Sequence, residues 1–250
     1  MKVVIKKITT NFCFLILCFY CQRVTLEFPH SQWIIWNVGQ GQWITLVAGE
    51  KCWHFDFGGE RNPISEVKKY CDMRENLLIL SHADRDHFSF IKSLRTNLQR
   101  ICLYGPSWQK LNLKKVGAVG LPQCPHLLSP GFHFFLPKFK ITKDDNINSQ
   151  MIQATEWLLP GDAPQSLEKI WLRTTPRNLT RITKLVLGHH GSKTSTSLEL
   201  LHHLSGLTQC IASSRTKKYG HPHRDVRQRI QKHCSLILTE DWNHLHYLLE

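Results

Sequence analysis

The chain has 250 residues, 42% of them hydrophobic, so it can bury a core of its own and is not an intrinsically disordered protein. Its 32 Lys and Arg outnumber its 19 Asp and Glu, and the formal net charge of +13 points to anionic partners: nucleic acid, a phosphorylated substrate or an acidic membrane surface. Beyond residue 30 the cysteines (Cys52, Cys71, Cys102, Cys124, Cys210 and Cys234) are scattered without a C-x-x-C pair, which excludes a zinc-finger site; in an exported chain some of them are expected to pair, in a connectivity that cannot be read from spacing.

At the N-terminus Lys2, Lys6 and Lys7 precede a short apolar run, Phe12 to Cys21. The run is too brief for a comfortable membrane span and suits a signal peptide or a short membrane anchor, so residues 1–30 are set apart from a folded domain over 31–250. Trp33 to Val47 reads as strand, glycine turn, strand, with Gly39 and Gly41 in the turn. Lys51 to Gly59 is a further strand that ends at Asp56-Phe57-Gly58-Gly59, where Asp56 is either a turn cap or a site residue.

The apolar run Leu77-Leu78-Ile79-Leu80 then stops abruptly at Ser81-His82-Ala83-Asp84-Arg85-Asp86-His87. Such a run, closed by a polar turn, predicts a buried strand, and Phe88 to Leu94 has helical apolar spacing. H-x-D-x-D-H therefore falls at a strand-to-helix turn, where side chains converge. Imidazole nitrogens mixed with carboxylate oxygens suit zinc, manganese or iron better than calcium or magnesium.

Residues 98–104 and 132–142 read as strands, the second interrupted by Pro137, and Met151 to Leu159 as one strand that stops at Pro160-Gly161-Asp162. A helix is expected over Leu167 to Leu172. Lys184 to Lys193 repeats the earlier pattern: an apolar strand, then His189-His190 in a glycine turn. A helix over Thr196 to Leu204, a short strand over Cys210 to Ser214, a basic loop over Lys217 to His223, a helix over Asp225 to Lys232 and two closing strands complete the chain. Polar residues gathered at strand ends predict an α/β layered domain with its site along one sheet edge.

Asp56, His82-x-Asp84-x-Asp86-His87, Pro160-Gly161-Asp162 and His189-His190-Gly191-Ser192-Lys193-Thr194-Ser195 resemble, in order and setting, the metallo-β-lactamase superfamily. Gly188 to Ser195 and Tyr219-Gly220-His221-Pro222 are similar to motifs in the C-terminal soluble domain of ComEC-type DNA-uptake competence proteins. The resemblance covers roughly residues 33–250. It implies a four-layer αββα sandwich with two divalent metal ions, zinc or manganese, between loops at one edge. It puts His82 and Asp84 on the first metal, Asp86 and His87 on the second, Asp162 between them, His189 or His190 on the second site, and Asp56 behind a ligand as its orienting partner. Asn37 and Gln42 depart from the pattern, standing where aspartates flank the glycine turn, and the third histidine of the first site has no clear counterpart, His126 and His133 being poor candidates.

The expected activity is metal-dependent phosphodiester cleavage of DNA, with Asp86 and His221 catalytic and Lys193, Thr194, Ser195, Lys217 and Lys218 holding phosphate. Arg173, Arg177, Arg181, Lys184, Arg224 and Arg227 extend a basic footprint for the backbone. The expected partners are DNA and a membrane DNA-uptake channel, with membrane contact only through the N-terminal segment. The expected location is exported: periplasmic, extracellular or anchored facing outward. Two other functions fit the same residues: a metallo-hydrolase of a small ester, thioester or lactam, which the basic balance disfavours, and a non-catalytic DNA-binding module, which the Asn37 and Gln42 replacements favour.

Overall fold

The computed structural model describes residues 31–125, 131–136, 145–174 and 179–248. The expected signal or anchor over residues 1–30, His126, the later part of the expected strand over 132–142 and Arg177 lie outside them. Five strands come first: β1 (Gln32–Trp36), β2 (Trp43–Ala48), β3 (Lys51–Phe57), β4 (Glu75–Ile79) and β5 (Ile101–Leu103). A second series follows: β6 (Phe132–Phe135), β7 (Met151–Ala154), β8 (Trp157–Leu159), β9 (Lys184–Val186), β10 (Gln209–Ala212) and β11 (Ser235–Leu238). The last strand, β12 (His244–Leu248), returns to the first series, giving sheets of order β12-β1-β2-β3-β4-β5 and β11-β10-β9-β8-β7-β6. Helices α1 (Ile64–Cys71), α2 (Arg85–Phe88) and α3 (Ile91–Asn97) belong to the first half, and α4 (Gln165–Thr174), α5 (Leu198–His203), α6 (Thr216–Tyr219) and α7 (Arg224–Ile230) to the second.

Three apolar clusters define the layers. Between the sheets, Trp33, Ile35 and Phe55 meet Ile152, Trp157 and Val186. The Trp33 and Trp157 rings stack with centroids 5.1 Å apart. The other face of the first sheet, through Ile34, Trp36 and Leu78, packs on Val67, Ile91 and Leu94 of the helices. Leu185 and Cys210 of the second sheet pack on Trp171, Leu201 and Val226. Successive strand residues point to opposite faces, and both faces are covered, so Trp33-Ile34-Ile35-Trp36 is an unbroken apolar run rather than an alternating one. Truncating a residue such as Trp157 to Ala would cost about 3–5 kcal/mol. The αββα sandwich is the one the resemblance implies.

Pairing between β3, β4 and β5 is parallel, as is pairing between β8, β9, β10 and β11. Their carboxyl ends share an edge, where open α/β sheets bind ligands. Among the described residues all six cysteines are paired: Cys52–Cys71 ties β3 to α1, Cys102–Cys124 ties β5 to the loop beyond it, and Cys210–Cys234 ties β10 to the segment after α7.

The expected elements differ in two places. Met151 to Leu159 is two antiparallel strands, β7 and β8, that turn at Thr155 with φ 53°. Lys217 and Lys218 lie in the short helix α6, closed by Gly220 in the left-handed conformation, not in a loop. Among the described residues no helix is long and apolar enough to cross a membrane.

Candidate metal centre

Each expected metal ligand follows a strand. Asp56 lies inside β3 at a register irregularity opposite Trp43 and Ile44, with φ 53°, so it is a bulge residue and not a turn cap. The bulge turns its carboxylate inward, where it accepts hydrogen bonds from Ser81 N (2.7 Å), Ser81 Oγ (2.8 Å) and Gln42 Nε2 (2.8 Å). The turn after β4 carries His82 to His87, and the Gly58-Gly59 turn presses against it. A Cβ added at Gly58 would sit 2.5 Å from the Asp86 carbonyl carbon, so only glycine fits. His189 and His190 follow β9 with φ 49° and 54°, two consecutive non-glycine residues in the left-handed region. That conformation costs roughly 1–2 kcal/mol per residue. It aims the two rings at different parts of the site.

Three histidines have their Nδ1 engaged on the far side of the ring. His87 Nδ1 donates to Asp56 Oδ2 (2.7 Å), and His190 Nδ1 donates to the Ser213 carbonyl (3.0 Å). Ser81 Oγ gives its proton to Asp56, so His82 Nδ1 donates to Ser81 Oγ at 2.9 Å. All three therefore turn Nε2 towards a common centre, the arrangement that metal-bound imidazoles adopt. Asp162, buried after β8, lies at that centre and divides it. Its Oδ1 is 3.1 Å from His87 Nε2 and 3.9 Å from His190 Nε2. Its Oδ2 is 3.5 Å from His189 Nε2 and 3.7 Å from His82 Nε2. Asp86 Oδ2 joins the first side, 3.1 Å from His190 Nε2, and Asp84 Oδ2 the second, 3.5 Å from His82 Nε2.

Burial pushes the Asp162 carboxyl up, but the His87, His190 and His82 rings outweigh it and hold it well below the usual carboxylate range. Burial likewise opposes charge on His87, yet Asp162 and Asp56 raise it well above the usual imidazole value. Carboxylates at this density need positive charge, and a divalent cation can take the place of protons. The fit to a metal is tested by His82 Nε2, which is buried without a hydrogen-bond partner and faces the Asp84 and Asp162 carboxylates at 3.5 and 3.7 Å. A buried orphan is costly, about 1–3 kcal/mol, and its chemistry is that of a metal ligand. The donor set fits a divalent ion. Cys52, His54 and Cys71 also lie close together, but the two sulfurs are joined in a disulfide and offer no thiolate.

Other expected site residues fare differently. His221 is half-buried at the rim, its Nδ1 3.4 Å from Gln40 Nε2 and its ring centroid 6.4 Å from that of His189; burial and the neighbouring histidines push its pKa down. Lys193 and Thr194 are exposed beside the histidine turn. Ser195 is not available to hold phosphate: it is buried and its Oγ donates to the Ala163 carbonyl at 2.8 Å. Lys217 is exposed, whereas Lys218 is ion-paired with Glu60. In the expected basic footprint, Lys184 is drawn to Glu156 (3.4 Å) and the Trp157 ring, and Arg227 donates to the Pro222 carbonyl and Thr216. His133 is exposed on β6, the edge strand of the second sheet.

Several supporting residues escaped the sequence reading. Gln42, read only as a departure, donates to Asp56 and so holds the carboxylate that accepts from His87 Nδ1. Glu168 accepts from Thr196 N (2.6 Å) and Ser197 N (2.8 Å), and Arg229 donates to the carbonyls of Ser195 and Thr196, so these two clamp the segment after the histidine turn. Glu60 binds Arg215, Lys218 and the Tyr219 hydroxyl at once, which lowers its pKa to about 2 against the rise that burial causes. A lone carboxylate after two glycines carries no local signal of such a role. Ser81, by contrast, was part of the motif.

Paired sheets with this His/Asp turn set define the metallo-β-lactamase fold. The solved metallo-beta-lactamase fold protein YhfI from Bacillus subtilis superposes with a TM-score of 0.53 at 14% identity, covering 87% of this chain and 100% of that one. A diphosphatase of the PhnP family gives 0.54 at 13%, covering 87% and 98%. Among curated proteins the chain is 31% identical over 239 residues to Recombination protein 2 of Haemophilus influenzae, and 28% identical over 184 residues to ComE operon protein 3 of Bacillus subtilis. Competence protein ComA of Neisseria gonorrhoeae is 24% identical over 221 residues. These matches cover 90%, 66% and 83% of this chain but only 29%, 23% and 30% of the relatives, so the chain spans under a third of their length. No family model matches the chain. The protein has the metallo-β-lactamase fold and is a homologue of these competence and recombination proteins.

Proposed function

We propose that the chain is a metal-dependent phosphodiesterase that cleaves DNA, in the setting of DNA uptake at the cell envelope. The observation that carries the reading is the division of imidazoles and carboxylates between the two oxygens of Asp162. Asp86, His87 and His190 are close enough together to hold one divalent ion, and His82 with Asp162 and the shared His87 would hold another, with Asp84 and His189 each 3.5 Å from a member of that second group. His189, 3.5 Å from Asp162, is the described histidine placed to complete the first site, that of His82 and Asp84. A divalent ion held by these residues would activate water near neutral pH and offset charge on phosphate oxygens. Asp56 and Ser81 hold His87 and His82 in the ligating tautomer. His221, half-buried at the rim beside His189 and Gln40, stands where it would donate a hydrogen bond to the leaving oxygen. Lys193 and Lys217, both exposed, meet the phosphate backbone.

Similarity to competence and recombination proteins supports DNA as substrate, as does the net charge of +13. Three disulfides suit an oxidising compartment and support an exported location. The test is an assay of DNA cleavage across added metals with Asp86→Ala and His87→Ala variants. Loss of cleavage with retained circular dichroism is expected, and undiminished cleavage in both variants refutes the assignment.

A further inference from the structure

An open groove of about 510 Å³ runs along one flank of the metal centre, with Asp86 in its wall and Gln40, Glu60, Arg85, Phe90 and Tyr219 around it. Its volume is that of a small-molecule site and not of a duplex channel. Tyr219 is 43% exposed, with the Lys218 ammonium over one face of its ring at 4.8 Å from the centroid, so a base would stack on the other face. The Tyr219 hydroxyl donates to Glu60 Oε1 at 2.7 Å, and the same carboxylate takes Arg215 and Lys218, so the ring is tethered in place and the glutamate's charge is neutralised. Phe90 offers a second, half-buried ring, held on its far side by Trp43 at 5.9 Å between centroids. Arg85 is exposed next to Asp86, a planar cation suited to phosphate or to the face of a base.

We infer that this groove receives an unpaired nucleobase adjacent to the scissile phosphate, so that the preferred substrate is single-stranded nucleic acid. The inference rests on the phosphodiesterase reading of the metal centre and adds a strand preference to it. A tethered tyrosine, a neighbouring phenylalanine and an arginine form a platform on which any base can stack, and a base in such a groove has left its complement. Tyr219 is thus the specificity-determining residue and touches the substrate, not the reacting atoms.

The test compares a single-stranded oligonucleotide, a blunt duplex of the same sequence and bis(p-nitrophenyl) phosphate, a diester with no base, with the metal-loaded full chain. The single strand is expected to be cut faster than the duplex. In Tyr219→Ala the ratio of oligonucleotide to small-diester efficiency is expected to fall about tenfold, and in Tyr219→Trp to be retained, in line with base–aromatic stacking. An unchanged ratio in Tyr219→Ala, or equal cleavage of duplex and single strand, overturns the inference while leaving the phosphodiesterase standing. Wild-type protein inactive on all three substrates overturns the phosphodiesterase reading, and the inference with it.

Discussion

Two buried histidine networks in this protein look alike in composition and differ in completeness. The first lies in the helix-facing core of the first sheet. His54 Nε2 donates to Asn76 Oδ1 (3.0 Å), and His54 Nδ1 accepts from Trp43 Nε1 (3.2 Å) and Thr45 Oγ1 (3.0 Å), while Thr45 Oγ1 accepts from Trp36 Nε1 (2.8 Å). The Asn76 amide nitrogen is fixed by the carbonyls of Cys71, Arg74 and Gln99, which sets the orientation of its oxygen. Both ring nitrogens of His54 are satisfied. The second network is the strand-end cluster around Asp162, where His82 Nε2 is buried without a hydrogen-bond partner, its nearest carboxylate oxygens 3.5 and 3.7 Å away. A complete network specifies a core. An incomplete one, made of good metal ligands, leaves positions that a cation would satisfy.

The comparison can be broken at its metal end first. Replacing Asp162, the carboxylate shared by both halves, by Ala is expected to abolish metal-dependent hydrolysis. In the metal-free chain it should also lower the melting temperature, because buried His87 loses the carboxylate 3.1 Å from its Nε2; calorimetry beside an activity assay checks this. Asp56→Asn keeps the size but weakens the acceptor that orients His87 and anchors Ser81. Metal affinity, read by chelator competition, is expected to fall about 10–100-fold. If affinity is unchanged, Asp56 has no orienting role.

The complete network makes the opposite prediction, in stability and not in affinity. Burial lowers the His54 pKa from 6.5 to about 4, against the smaller upward effect of the Asn76 hydrogen bond. The unfolded chain therefore binds a proton over that interval that the folded chain does not. The contribution is fully present above pH 6.5 and declines as pH falls towards 4, by on the order of 3 kcal/mol. His54→Gln should be less stable near neutral pH and show a flatter stability-versus-pH profile over that interval in denaturant titrations. A profile as steep as wild type would place the acid-sensitive group elsewhere.

The same contrast explains what could be read in advance. The convergence of H-x-D-x-D-H and the histidine turn was legible because both are short polar motifs that directly follow buried strands. The layers were legible because both faces of each sheet are covered and the strands are unbroken apolar runs. Asp56 was legible as a candidate but not as a bulge, since a bulge arises from pairing with β2 and not from neighbours in the chain. Adjacent residues such as His189 and His190 cannot be assigned from spacing; consecutive left-handed backbone angles separate them. The β7–β8 turn at Thr155-Glu156 has no glycine, proline or asparagine to announce it. The disulfide pairs and the Glu60 and Glu168 clamps depend on contacts between distant segments, which spacing does not carry.

Titration of zinc or manganese into the metal-free chain, with elemental analysis of the product, tests the central claim most directly. The account predicts tight binding of about two equivalents, reduced by His82→Ala and by His190→Ala separately, because each removes a ligand from a different side of Asp162. A chain that takes up neither ion under any loading condition, or whose uptake is indifferent to both substitutions, would contradict it.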